Sequence, residues 1–92
     1  MASKQVTLKI TGLVQGVGYR YVSVSKAQSL TLVGYVKNTA DGGVEIVAEG
    51  EETDLKNFIT WCYNGVGPAM VHSIDQSWSE ATGNFTDFMI KF

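Results

Sequence analysis

Between Val6 and Thr11 the chain alternates: Val6, Leu8 and Ile10 fall on one side, Thr7, Lys9 and Thr11 on the other. That is the period-two pattern of a strand with one buried face. Gly12, Gly16 and Gly18 then punctuate a short loop, after which Tyr21, Val24, Ala27 and Leu30 recur every three residues and predict a helix, although its serines and valines are weak helix formers. Segments 33–38 and 44–49 flank the turn residues Thr39 to Gly43, whose Asp41-Gly42 pair favours a hairpin. Leu55, Phe58, Ile59 and Cys62 stand at i, i+3, i+4 and i+7, preceded by Glu51, Glu52 and Asp54, whose negative charge suits a helix start. Gly65 and Pro68 are expected to close this second helix. Ile74, Gln76 and Trp78 share one side of a further strand, and Phe88, Ile90 and Phe92 one side of a terminal strand.

The predicted order is β-α-β-β-α-β plus a C-terminal strand, an α+β chain of the ferredoxin-like type, with two helices on one face of a mixed, mostly antiparallel sheet. A strand-helix-strand crossover makes the first two strands parallel, so the loop after the first and the hairpin after the second emerge at the same end. Segment 14–20 and Asn38 can therefore converge. No repeat, low-complexity tract or linker interrupts the pattern, and residues 1–92 read as a single domain.

Composition narrows the chemistry. Ninety-two residues with 45% hydrophobic side chains suffice for one core. A net charge of -2 is unlike that of a phosphate-backbone binder, so no nucleic-acid partner is expected. No apolar stretch is long enough for a signal peptide or membrane span, which places the protein in the cytoplasm with no membrane partner. One cysteine and one histidine cannot by themselves build a disulfide or a Cys/His zinc site.

Arg20 is the one arginine among seven basic residues. It sits where a helix begins, a place that disfavours a cation unless an anion is nearby. Gln15, Gly16, Val17, Gly18 and Tyr19 precede it as a glycine-containing turn whose successive backbone N–H groups can converge on a phosphate. A guanidinium adds planar donors able to grip two oxygens at once. Read this way, VQGVGYR is an oxyanion cradle; read plainly, it is a turn followed by an ordinary surface arginine paired with a carboxylate or the C-terminus.

These segments resemble a known family, the acylphosphatases. GLVQGVGYR, from Gly12 to Arg20, is similar to the family's first signature, and GYVKNTADGGVEIVAEG, from Gly34 to Gly50, to its second. GVGPAMV from Gly65 and the terminal FMIKF are looser matches. The resemblance implies hydrolysis of small acyl phosphates without metal or cofactor, with Arg20 and the loop amides binding the phosphoryl group and Asn38 positioning the attacking water. An acyl phosphate or inorganic phosphate is the implied small-molecule partner. Leu13 stands where the family often has a basic residue, and Phe92 where the chain commonly ends in tyrosine; these departures bear on rate and affinity more than on reaction type.

The chemistry agrees with what the sequence lacks. A carboxylate leaving group, with a conjugate-acid pKa of roughly 4, departs at neutral pH unprotonated. An alkoxide needs an acid or a metal, and neither stands out beside Arg20 and Asn38. Other residues read more plainly: His72 as a surface or packing residue, Cys62 as a buried thiol on an apolar stripe, Asp41 as a turn former, Glu45 as a strand residue alternating with Val44 and Ile46, and Trp61 and Trp78 as packing or surface aromatics. On the residue alone, bonding to the hairpin backbone explains Asn38 better than catalysis does. A non-enzymatic anion sensor using the same loop is one rival function. An RNA-binding domain of this topology is another, weakened by the acidic residues of GVEIVAEG.

Overall fold

The computed structural model describes residues 3–64 and 67–92. Gly65, expected to end the second helix and to open the GVGPAMV match, lies outside the described residues. The elements are β1 (Ser3–Leu13), α1 (Tyr19–Ser29), β2 (Val33–Asn38), β3 (Val44–Glu51), α2 (Glu52–Asn64), β4 (Met70–Glu80) and β5 (Phe88–Lys91). The five strands form one sheet in the order β4-β1-β3-β2-β5. The expected ferredoxin-like α+β architecture is what the chain adopts. Every pairing is antiparallel except that of β2 with β5. Because β1 and β2 both run antiparallel to β3, they are parallel to each other, and their C-terminal ends lie at the same end of the sheet.

Register follows the hydrophobic pattern. Val6, Leu8 and Ile10 sit opposite Ala48, Ile46 and Val44, and Val36 opposite Ile46. All are buried, and both helices cover this face. A slip of one residue would turn the whole row toward solvent. The stripe foreseen for α2 holds: Leu55, Phe58, Ile59 and Cys62 are its buried residues.

The stripe foreseen for α1 does not. Tyr19, Ser23 and Ala27 are buried, while Tyr21 is well exposed and Val24 and Leu30 are only partly covered. Tyr21 and Leu30 are nine residues apart, which at 3.6 residues per turn puts them about 180° from each other around the axis. Ser23 is accommodated inside because its hydroxyl donates to the Tyr19 carbonyl at 2.7 Å. At the other end, the Leu32 N–H bonds to the Ala27 carbonyl and the Thr31 N–H to the Gln28 carbonyl, both at 3.0 Å, closing α1 with a Schellman motif. Thr31 takes the left-handed position, at φ 60°.

Phe88 of β5 is buried and Ile90 partly so, but Phe92 lies beyond the strand and is 94% exposed. It does not share one side of the terminal strand with them, as the sequence suggested, because β5 ends at Lys91.

Candidate active site

The segment joining β1 to α1 is built on two glycines in left-handed conformation, Gly16 at φ 74° and Gly18 at φ 81°. An L side chain there is strained. Gly18 is the N-cap of α1, so it supplies no side-chain oxygen to the first-turn N–H groups, and that turn contains no acidic residue. The partial positive charge of a helix start therefore stands together with the Arg20 guanidinium. A Cβ built on Gly16 or Gly18 meets nothing within 4 Å, so both glycines border open space.

Three neighbouring side chains serve the scaffold. Tyr19 is buried, with its hydroxyl donating to the Cys62 carbonyl at 2.9 Å, and burial raises its pKa. Val17 packs partly against the core. The Gln15 side-chain amide donates to the Thr39 and Gly43 carbonyls, at 2.8 Å each, and so ties the loop to the β2-β3 hairpin. What Gln15 to Tyr19 can offer a ligand is their peptide N–H groups.

That hairpin begins directly after Asn38. Its five-residue turn is closed by a Thr39 N–H to Gly43 carbonyl bond of 3.0 Å, and the Asp41 carboxylate accepts from the Thr39 hydroxyl and from the Gly43 N–H. These two hydrogen bonds, the hydroxyl's foremost, hold the Asp41 carboxyl below its ordinary pKa. Asn38 Oδ1 has less than 1 Å² of exposed surface and no hydrogen-bond partner among the described residues. An unpaired buried acceptor costs about 1–3 kcal/mol, so one left in place calls for a reason.

Arg20 reaches the same end of the sheet from the helix side. Its guanidinium carbon lies 5.1 Å from the centre of the Phe92 ring, a cation–π contact. Phe92 follows Lys91, which pairs with Lys37, the residue before Asn38. Ion pairs among the described residues join Lys4 to Glu80, Lys37 to Glu45 and Lys56 to Glu52, and none engages Arg20. The glycine loop, Arg20 and Asn38 thus occupy one end of the sheet, linked by Gln15 on one side and by Phe92 on the other.

A family model for acylphosphatase matches residues 6–90. The chain belongs to the acylphosphatase family. The acylphosphatase of Paenarthrobacter aurescens strain TC1 is 46% identical over 86 residues, covering 94% of this chain and 92% of that one. That of Caldanaerobacter subterraneus subsp. tengcongensis is 46% identical over 87 residues, covering 95% and 97%. Among solved structures, the crystal structure of acylphosphatase from Bacillus subtilis superposes with a TM-score of 0.93 at 37% identity, covering 97% of this chain and 99% of that one. An acylphosphatase structure from Coxiella burnetii gives 0.88 at 32% identity, covering 98% and 94%.

Within this acylphosphatase fold, the residues outside the loop end play other parts. Cys62 is fully buried and its thiol is pushed up to about 12 by desolvation. Glu45 accepts from the Tyr35 hydroxyl at 3.0 Å and pairs with Lys37. His72 is exposed at the β-bulge where β4 passes Gly12. Glu49 went unread in the sequence: it is 3% exposed, on the sheet face away from the helices. Burial alone would raise its pKa, but Gln5, the Thr82 hydroxyl and the Thr82 and Gly83 N–H groups all donate to it, and together they hold it below the ordinary value. Its loop partners lie more than thirty residues along the chain, beyond any local pattern.

A cleft of about 680 Å³ lies between α2 and β4 and is lined by residues such as Lys4, Ile59, Tyr63 and Trp78. It borders neither Arg20 nor Asn38. No helix among the described residues is long and apolar enough to cross a membrane.

Proposed function

We propose that this protein hydrolyses the carboxyl-phosphate bond of small acyl phosphates, giving a carboxylate and inorganic phosphate, by direct in-line attack of water and without a metal ion. The observation that carries the reading is an arginine in no ion pair among the described residues, at the N-terminus of a helix whose cap is a left-handed glycine. Membership of the acylphosphatase family supports the reaction class.

In this reading Arg20 and the peptide N–H groups of Gln15, Gly16, Val17, Gly18 and Tyr19 hold the phosphoryl oxygens. The charge that builds on those oxygens in the transition state meets donors already in place. The Asn38 side-chain oxygen accepts a hydrogen bond from the attacking water and so aims the water's lone pair at phosphorus. That oxygen faces inward in the structure, so the role requires a turn about χ2, a broad torsion in asparagine. Because an amide is a poor base, Asn38 orients the water, and the proton is lost as the new P–O bond forms. The carboxylate departs unprotonated, being the conjugate base of an acid of pKa roughly 4.

The test is turnover of a model aromatic acyl phosphate, benzoyl phosphate, with chelator present, alongside binding of inorganic phosphate. Asn38→Ala is expected to lose about 10²-fold or more in kcat while still binding phosphate, and Arg20→Gln to lose both. Equal turnover in the parent protein and Asn38→Ala, or abolition of turnover by the chelator, contradicts the proposal. An anion sensor sharing the loop would bind phosphate and turn nothing over.

A further inference from the structure

Leu13, Tyr21, Met70 and Phe92 are exposed at 55%, 62%, 69% and 94%. Isolated exposed apolar residues are ordinary on a protein surface, but these four share the loop end of the sheet. Leu13 ends β1 two residues before Gln15, and Met70 is its cross-strand partner at the start of β4. Cross-strand partners of this kind have Cβ atoms about 5 Å apart, so the two side chains make one continuous apolar surface. Tyr21 lies in the first turn of α1, next to Arg20, and Phe92 lies against the Arg20 guanidinium. The glycine loop is thereby flanked by apolar side chains on its β1-β4 side and on its α1-β5 side.

The nearby cations are engaged elsewhere. Lys37 pairs with Glu45 at 3.7 Å, and the Lys91 ammonium lies over the Tyr35 ring at 4.2 Å. Tyr35 and Glu45 face away from the helices, so both lysines are drawn onto the open side of the sheet. Lys9, opposite Glu45 and close enough to act on the Asp41 carboxylate, lies on that open side as well; Arg20, on the helix side, serves the phosphoryl group in the function proposed above. An acyl group leaving the loop therefore meets hydrocarbon and aromatic surface, with no counter-charge for a second carboxylate.

We infer that this collar receives the acyl group, and that the protein selects acyl phosphates whose acyl group is an uncharged alkyl chain or aryl ring over those carrying a further carboxylate. The inference rests on the phosphoryl group occupying the Gln15–Arg20 loop. Leu13 and Met70 are the specificity-determining residues, because they offer apolar contact without taking part in holding phosphate.

The experiment compares kcat/KM for acetyl, butyryl, hexanoyl and succinyl phosphates in the parent protein and in Leu13→Ser, Met70→Ser and Leu13→Lys. In the parent, kcat/KM should rise along the alkyl series by about two- to fourfold per methylene that reaches the collar. Butyryl phosphate should exceed succinyl phosphate by about tenfold, since the extra carboxylate is set against apolar surface. The serine variants should flatten the alkyl series, and Leu13→Lys should lower the butyryl-to-succinyl ratio by at least about threefold by supplying a counter-charge. Each ratio is taken within one protein, so a loss of folded fraction cancels. If the parent hydrolyses acetyl phosphate but the series is flat, or if its rise survives both serine substitutions, the collar is refuted while the reaction stands. If the parent hydrolyses none of the four, the reaction reading falls and takes the collar with it.

Discussion

Asn38 shows how much a single buried oxygen constrains a site. Its Oδ1 has no partner among the described residues, whereas in the adjoining turn the Thr39 hydroxyl and Gly43 N–H both donate to Asp41. The bland reading of Asn38, an asparagine bonded to its own turn, is not what the coordinates show for this oxygen. The sequence could not decide this, because the same residue type serves both purposes. Arg20 was more legible, since a lone arginine at a helix start is visible in the chain itself; that it joins no ion pair among the described residues needed coordinates. Cys62 gives a prediction at this scale. Its thiol, pushed up to about 12 by burial, holds almost no thiolate near neutrality. An alkylating reagent at pH 8 should leave the folded protein unmodified and label it only after denaturation, as read by mass spectrometry.

At the scale of elements, α1 carries the proposed site at one end and a backbone compromise at the other. Its N-terminus depends on Gly18 as a cap with no side chain, and its C-terminus places Thr31, a β-branched residue, in the left-handed position glycine favours. Thr31→Gly should raise stability by about 0.5–1 kcal/mol in chemical denaturation with little change in turnover, because relief of the Cβ clash outweighs the added chain entropy. A loss of stability on this substitution would contradict the geometry. The helix itself was legible in the sequence but its buried face was not. Three-residue spacing selected Tyr21, whereas the core takes Tyr19, Ser23 and Ala27 at i, i+4 and i+8. The misreading arose because Ser23 does not look like a core residue until its hydroxyl is seen bonded to the preceding turn. By contrast, α2 and the hairpin strands were readable because their apolar positions match one period and their partners are close in sequence.

For the whole molecule, the β-α-β-β-α-β order dictated which loops could meet, and that topology was written in the alternation of apolar and polar residues. What the order could not reveal were ties between distant segments. Glu49 receives hydrogen bonds from Gln5 on β1 and from Thr82 and Gly83 in the β4-β5 connection, so one carboxylate fastens that connection to the centre of the sheet. Its folded pKa lies below the ordinary value of 4.5, so its contribution is present above that pH and is lost as pH falls through the depressed folded value. Glu49→Gln should therefore cost about 2 kcal/mol at pH 7, with the gap to the parent protein closing as denaturation is followed into acid below about pH 4.5. A gap independent of pH would show that the carboxylate's charge is not what holds the loop.

The proposed role of the α1 cradle in the phosphoryl transition state requires water to attack phosphorus and not the acyl carbon, and isotope placement reports this directly. Benzoyl phosphate hydrolysed by the protein in ¹⁸O-enriched water should yield phosphate carrying one solvent oxygen and benzoate carrying none. Label in the benzoate would mean attack at the carbonyl, and would contradict the assignment of Arg20 and the loop amides to the phosphoryl transition state.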